Sequence, residues 1–347
     1  MKCYYAPETE AHDPKFRLTH SKLQNNAERP ERALLLLQGL ENAGLSTQSP
    51  DAAPYSAMEA VHTPRFLTWL EMAWDVWQTL PDAGGEVVPN INPDRNIATY
   101  PASPIARAGW HMGDTSAPVG QHSWTASRRA VDCAYAAAKT ILSGERAAYA
   151  LCRPPGHHSS AEIAAGHCLM NVAAVAAAHL AKRLGPVAVL DIDVHHGNGT
   201  QAIFYDRSDV LTVSVHAATD DYYPFFTGYA HEIGTGGGEG FNLNLPLPRT
   251  TTDDVWITAI EKGLTRIADH KPAALILSLG LDAHENDPLL GMKVTFDGFE
   301  RAGRLIASAG YPTVIIQEGG YLSPDLATSL TRFMTGYLSG LDQIGDN

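Results

Sequence analysis

Cysteine is scarce in this 347-residue chain: Cys3, Cys133, Cys152 and Cys168 show no paired spacing, which argues against a disulfide framework. Positive charge is also short, with 25 Lys and Arg against 38 Asp and Glu and a formal net charge of −13. That balance excludes general nucleic-acid binding and mildly favours the approach of small cations. Glu8, Glu10, Asp13, Asp220 and Asp221 are the acidic residues expected near a cavity mouth. No apolar stretch reaches the roughly 20 residues of a membrane helix, and the alanine-rich run Ala173 to Ala181 reads as a packed helix. The first residues lack the basic, apolar and small-residue succession of a signal peptide, so a reduced cytoplasmic setting is expected. There is no phosphate-cradling glycine loop and no Gly-x-Ser-x-Gly elbow, which removes P-loop and serine-hydrolase chemistry.

What is present is a repeated pattern of buried strand followed by chemistry. After Gly185-Pro186, Val187 to Leu190 reads as a strand buried on both faces, and it runs into Asp191-Ile192-Asp193-Val194-His195-His196-Gly197-Asn198. On an extended chain the spacing turns Asp191, Asp193 and His195 to one side. Ala147 to Cys152 runs into Arg153-Pro154-Pro155-Gly156-His157-His158. Ala274 to Leu279 runs into Gly280-Leu281-Asp282, and Thr313 to Ile316 into Gln317-Glu318-Gly319-Gly320-Tyr321. Four strands ending beside such residues point to one shared site at the carboxyl edge of an open sheet.

Between these strands, helical patterns cover Ser127 to Ser143, Asn171 to Leu184, Asp253 to His270 and Asp297 to Ala309. Crossover helices imply parallel pairing, and the whole chain, 1–347, reads as a single α/β domain. A short strand is expected at Lys2 to Tyr5 and an amphipathic helix over Ala33 to Gly44. Gly84 to Gly109 is rich in Pro, Gly and Asn and reads as a long excursion without its own periodicity.

Asp193, His195 and Asp282 offer one imidazole and two carboxylates, leaving room for water and a substrate oxygen as a catalytic divalent site requires. Zinc is the first expectation, with Fe²⁺ or Co²⁺ compatible with so hard a donor set. His157 and His158 supply a general base. Asp191 and Asn198 are expected to orient the two rings and, being charged and neutral respectively, to give them different proton loads. Tyr321 supplies an oxyanion donor. Metal, base and oxyanion donor together describe hydrolysis of an amide or ester.

The same segments resemble the histone deacetylase superfamily, and within it the bacterial acetylpolyamine amidohydrolases and histone deacetylase-like amidohydrolases. The likeness rests on Leu151 to His158, Asp191 to Thr200, Leu281 to Pro288 and Glu318 to Tyr321, with Glu28-Arg29-Pro30-Glu31-Arg32 similar to the family's early helix start. It implies an arginase/deacetylase α/β fold with a central eight-stranded parallel sheet flanked by helices on both faces. It implies zinc on Asp193, His195 and Asp282, His157 paired with Asp191, His158 as the main base and acid, and Tyr321 polarising the acyl carbonyl. A structural potassium ion is implied near Asp191, Asp193, His195, Ser214 and Val215. Gly166, His167, Tyr223, Leu289 and Gly319 are the implied substrate-tunnel residues, with His167 where an aromatic residue is usual. Asp114 is expected to stand in for an acidic residue of the polyamine enzymes.

The implied function is a zinc-dependent deacetylase that uses metal-activated water on small acetylated amines, acetylpolyamines first, with an acyl-lysine peptide as the alternative substrate. A homodimer or higher homo-oligomer is also implied. Two rivals remain: a two-manganese arginase-like hydrolase, and a non-catalytic acyl-ligand binding module.

Overall fold

The computed structural model describes residues 1–345. Its strands, in chain order, are β1 (Lys2–Tyr4), β2 (Phe16–Thr19), β3 (Lys22–Asn25), β4 (Thr47–Gln48), β5 (Ala147–Ala150), β6 (Val187–Asp191), β7 (Val210–Ala217), β8 (Asn242–Leu247), β9 (Leu275–Leu279) and β10 (Thr313–Gln317). Eight of them form one sheet in the order β4-β1-β5-β10-β9-β6-β7-β8, while β2 and β3 make a separate antiparallel hairpin. Every pair in the large sheet is parallel. The four strands that lead into the chemical motifs, β5, β10, β9 and β6, are therefore immediate neighbours at the centre of the sheet, although β5 ends at Ala150 and its neighbour β10 begins only at Thr313.

Strand side chains alternate between two cores, as a doubly covered sheet requires. Val187 and Val189 of β6 belong to the core that includes residues from the helices Pro64–Trp77, Ser123–Leu142 and Val172–Leu184. Ala188 and Leu190 face the other, formed with the helices Glu31–Asn42, Asp253–His270, Phe296–Ser308 and Leu326–Gly345. Small alanines on Val172–Leu184 let it lie close to the helix Ser123–Leu142. No helix among the described residues is long and apolar enough to cross a membrane.

Several sequence expectations need adjusting. The run Ala147 to Cys152 leaves the sheet after Ala150. The excursion from Gly84 to Gly109 is not without structure: a helix, Pro104–His111, opens inside it, with proline at its first turn where a missing N–H costs nothing. β6 stops at Asp191, so the alternation of extended chain does not carry through Asp193 and His195. There the chain bends because each acidic side chain accepts a bond from the backbone two residues on: Asp193 N–H donates to Asp191 Oδ1 (3.1 Å) and His195 N–H to Asp193 Oδ1 (2.9 Å).

The packing also fixes a pH response. His62 is buried, and its Nε2 accepts the N–H of Asn171 (2.9 Å), the residue whose side chain caps the helix Val172–Leu184. Burial pushes its pKa down to about 4. An unfolded histidine titrates near 6.5, so above that pH neither state carries the proton. Below it the unfolded chain takes up the proton first, and stability is lost as pH falls from about 6.5 toward 4, by about 3 kcal/mol from this residue. Denaturant midpoints measured across that range should fall less steeply in His62→Gln than in the parent; equal slopes would remove His62 from the effect.

Candidate active site

The three potential ligands come together beyond the ends of β6 and β9. One ligand atom each from Asp193, His195 and Asp282 lies within 4.8 Å of the others, and all three residues are buried. His195 Nδ1 is 3.2 Å from Asp193 Oδ1 and 3.1 Å from Asp282 Oδ2. Its ring stacks on Tyr222 at 4.9 Å and 11°. The carboxylates are held as firmly: Asp193 Oδ2 accepts Gly319 N–H (2.8 Å), and Asp282 Oδ1 accepts Val194 N–H (3.1 Å). Gly319 leaves them their space, since a Cβ there would stand 2.3 Å from Asp282 Oδ2.

Two carboxylates and one imidazole converging in a buried spot fit a divalent cation. Burial and the charge of Asp193 raise the pKa of Asp282. Burial alone would lower the His195 pKa, but hydrogen bonds to the carboxylates of Asp193 and Asp282 lift it to about 9. A proton on His195 therefore competes with a metal for the same converging atoms. A second group, His157, Cys168 and Glu318, is also compact. It suits a metal poorly, because burial drives the Cys168 thiol well above its usual range and Glu318 Oε2 already accepts Gly156 N–H (2.6 Å) and His157 N–H (3.1 Å).

His157 Nδ1 meets Asp191 Oδ2 at 2.9 Å, and His158 Nδ1 meets Asn198 Oδ1 at 2.7 Å, with the rings 4.1 Å apart. Their proton loads diverge. Burial opposes charge on both. For His157 the carboxylates of Asp193 and Asp191 outweigh it, and the pKa rises well above the ordinary value. For His158 burial is reinforced by the charges of His157 and His195, and the pKa falls well below it. With Nδ1–H given to Asn198, a neutral His158 has its Nε2 lone pair free.

Tyr321 is buried, and burial holds its hydroxyl well above the usual phenol range, so it stays a donor. Its N–H donates to Asp287 Oδ2 (2.8 Å), and the Arg32 guanidinium lies 4.8 Å from its ring centroid. Arg32 also donates to Gly320 O (2.6 Å) and Glu318 O (2.7 Å). It pairs with the fully buried Glu28, which pairs in turn with Arg153 at 2.9 Å.

His158, Asn198 and Tyr321 face a cavity of about 680 Å³. The ligand triad lies behind it, the His195 ring 5.8 Å from that of His158. Gly166, His167 and Tyr223 line the cavity. Gly166 has φ +53°, and a Cβ there would meet His158 at 2.4 Å. The His167 ring stands 5.4 Å from that of Tyr321. Asp114 accepts bonds from Tyr223 O–H (2.7 Å) and Gly166 N–H (3.1 Å), joining two sides of the cavity.

Two of the expected tunnel residues do not line it. Gly319 is packed against the ligand carboxylates instead. Leu289 N–H donates to Asp287 Oδ1 (2.8 Å), and its carbonyl accepts Tyr222 O–H (3.0 Å). Glu8, Glu10, Asp13, Asp220 and Asp221 are likewise absent from the lining. Ser214 pairs with Asp191 across β6 and β7, its hydroxyl 2.8 Å from His216 Nδ1, and Val215 is buried beside it. Sequence reasoning passed over Arg32, Tyr222, Asp287 and Glu318 as site residues. Asp287 and Glu318 lie inside the motifs it quoted, and Arg32 closes the Glu28 to Arg32 match. Tyr222 carries no such signal.

An apolar groove of about 370 Å³, between the helix Pro64–Trp77 and the excursion, gathers Trp69, Met72, Trp77 and Tyr100 with Arg65 and Arg107. It contains none of these chemical groups and is not the reaction site.

A model of the histone deacetylase domain matches residues 26–337, most of the chain. This chain belongs to the histone deacetylase family. Among its relatives, the acetylpolyamine amidohydrolase of Burkholderia pseudomallei is 39% identical over 343 residues, covering 97% of this chain and 98% of its own. Acetylpolyamine amidohydrolase 1 of Pseudomonas aeruginosa is 35% identical, covering 97% of this chain and 99% of its own. The crystal structure of the Burkholderia pseudomallei acetylpolyamine aminohydrolase superposes with a TM-score of 0.95 over 98% of this chain and 99% of that one. The fold is the arginase/deacetylase fold that the resemblance implies.

Proposed function

We propose that this family member is a metal-dependent amidohydrolase that removes acetyl groups from small N-acetylated amines, acetylpolyamines foremost. The observation that carries the reading is the convergence of Asp193, His195 and Asp282 behind a neutral His158 and a protonated Tyr321. Relatives named acetylpolyamine amidohydrolase, matched over nearly their whole length, support the choice of small amines.

Asp193, His195 and Asp282 would hold the divalent cation, zinc first and Fe²⁺ or Co²⁺ as alternatives that the two carboxylates tolerate. When bound, such a cation supplies Lewis acidity and brings the pKa of water toward neutrality. His158 Nε2 takes the proton of the attacking water and later delivers it to the departing amine. His157, held cationic by Asp191, keeps its neighbour neutral. Tyr321 donates its O–H to the acyl oxygen as negative charge develops there. Acetate and a free amine leave. The family likeness supports a structural potassium ion as well, which oxygens of Asp191, Asp193, His195, Ser214 and Val215 would hold; Asp191 and Ser214 are register partners across β6 and β7. The four buried free cysteines support a reducing, cytoplasmic setting.

The test is kcat/KM of the zinc-loaded protein on acetylputrescine, acetylcadaverine and an acetyl-lysine peptide. At least about tenfold preference for the two amines is expected, the weight of roughly 1.4 kcal/mol in the transition state. Preference for the peptide would overturn the substrate half of the reading, and no turnover of any of the three would overturn the hydrolase half.

A further inference from the structure

The cavity in front of His158 and Tyr321 has one wall that the reaction leaves unused, the hairpin of β2 and β3. Its two-residue loop, His20-Ser21, has φ values of +49° and +60°, the geometry of a tight hairpin turn. The hairpin is tied to the rest of the cavity wall. Leu18 N–H donates to Thr115 Oγ1 (3.2 Å), and Asn26 Nδ2 donates to Phe16 O (3.1 Å) and Ser116 O (3.2 Å). These bonds set Arg17 in the lining alongside Asp114, and the two are its only Asp, Glu, Lys or Arg residues.

Their hydrogen-bonding states are opposite. Asp114 is occupied: Oδ2 accepts from Tyr223 and Gly166, and Oδ1 accepts Ser116 N–H (2.7 Å). Arg17 is half-buried, its Nε is shut off from solvent with no acceptor, and it forms no ion pair among the described residues. Its charge is felt inside the cavity, where burial and then Arg17 push the His167 pKa down to about 3. The unspent capacity of this wall is thus a cationic, planar set of donors. That chemistry matches a carboxylate, which an arginine can engage with two parallel bonds. A distal ammonium would instead meet the guanidinium and an already occupied Asp114.

We infer that Arg17 receives a carboxylate at the far end of the acetylated amine, so that the preferred small substrates are ω-acetamido acids, including amino acids acetylated on their distal amine. This rests on the deacetylase reading above and revises its order of substrates, placing ω-acetamido acids ahead of acetylpolyamines among the small acetylated amines. The net charge of −13 works against an anionic ligand at long range, but over distances beyond about 8 Å physiological salt screens it, and the contact with Arg17 lies inside that range.

The experiment uses the full, metal-loaded chain and three acetamides of similar length: 6-acetamidohexanoate with an anionic end, N-acetylcadaverine with a cationic end, and N-hexylacetamide with a neutral one. The parent should favour the anionic compound over the neutral one by about tenfold in kcat/KM, chiefly through KM, as one charge-assisted contact provides. In Arg17→Gln that ratio should fall to near one, and Arg17→Glu should move the preference to the cationic compound. A parent ratio at or below one, or a ratio untouched by Arg17→Gln, overturns the inference. Calorimetric titration of 6-acetamidohexanoate into parent and Arg17→Gln separates the two failures. If no acetamide is hydrolysed, the deacetylase reading falls, while binding at least about tenfold weaker in the variant upholds Arg17 and equal or absent binding rejects it.

Discussion

Replacing Tyr321 with phenylalanine lowers kcat by roughly 10²-fold or more while metal content and thermal stability stay near those of the parent. The size is that of losing one oxyanion donor. The reason the fold should hold is local: the ring is buried with Arg32 over its face, and the residue is placed through its backbone N–H on Asp287. None of these contacts needs the hydroxyl. Because the O–H bond to the acyl oxygen strengthens only as charge develops, kcat should fall with little change in KM. Steady-state kinetics beside a melting curve and a metal assay check this, and near-normal turnover would take Tyr321 out of the chemistry.

Asp282→Ala should strip the metal and with it all measurable hydrolysis. Changes in groups that merely orient a ligand already cost about 10- to 100-fold in metal affinity, and losing one of three donors exceeds that. Asp282 also accepts Val194 N–H and faces His195, so the alanine variant is compared with Asp282→Asn, which keeps an oxygen for Val194 and loses the charge. Metal per chain by elemental analysis, read beside circular dichroism, decides the matter. Full occupancy in both variants would refute the assigned ligands.

The parts of the site legible in the sequence were those written locally. Apolar runs ending in Asp, His or Tyr gave β5, β6, β9 and β10, and the ligand triad lies beyond two neighbouring strand ends of that set, Asp193 and His195 after β6 and Asp282 after β9. Strand order is a different kind of information, because it depends on which helices cover which face, and no single segment encodes it. β7 escaped notice although Val210 to Val215 is rich in β-branched residues, since no chemical motif follows it. The helix Pro104–His111 was hidden by the prolines and glycines around it. Leu289 is absent from the lining of the cavity, and its backbone bonds to Asp287 and Tyr222. The cavity wall formed by the hairpin with Arg17 reads locally as two short polar strands, and its ties to Thr115 and Ser116 make it part of the site.

The buried trio Glu28, Arg32 and Arg153 has a consequence in time. Arg32 reaches the carbonyl of Gly320, 288 residues further along the chain. A nascent polypeptide that has not yet produced β10 holds a guanidinium and a carboxylate for which the final burial site does not exist, and burying them without all partners is strongly unfavourable. Arg32 thus finds its complete set of partners only when Glu318 and Gly320 are present. A chain that lacks β10 and the loop after it lacks both those carbonyls and Tyr321, so the same segment completes the buried charge network and supplies the oxyanion donor.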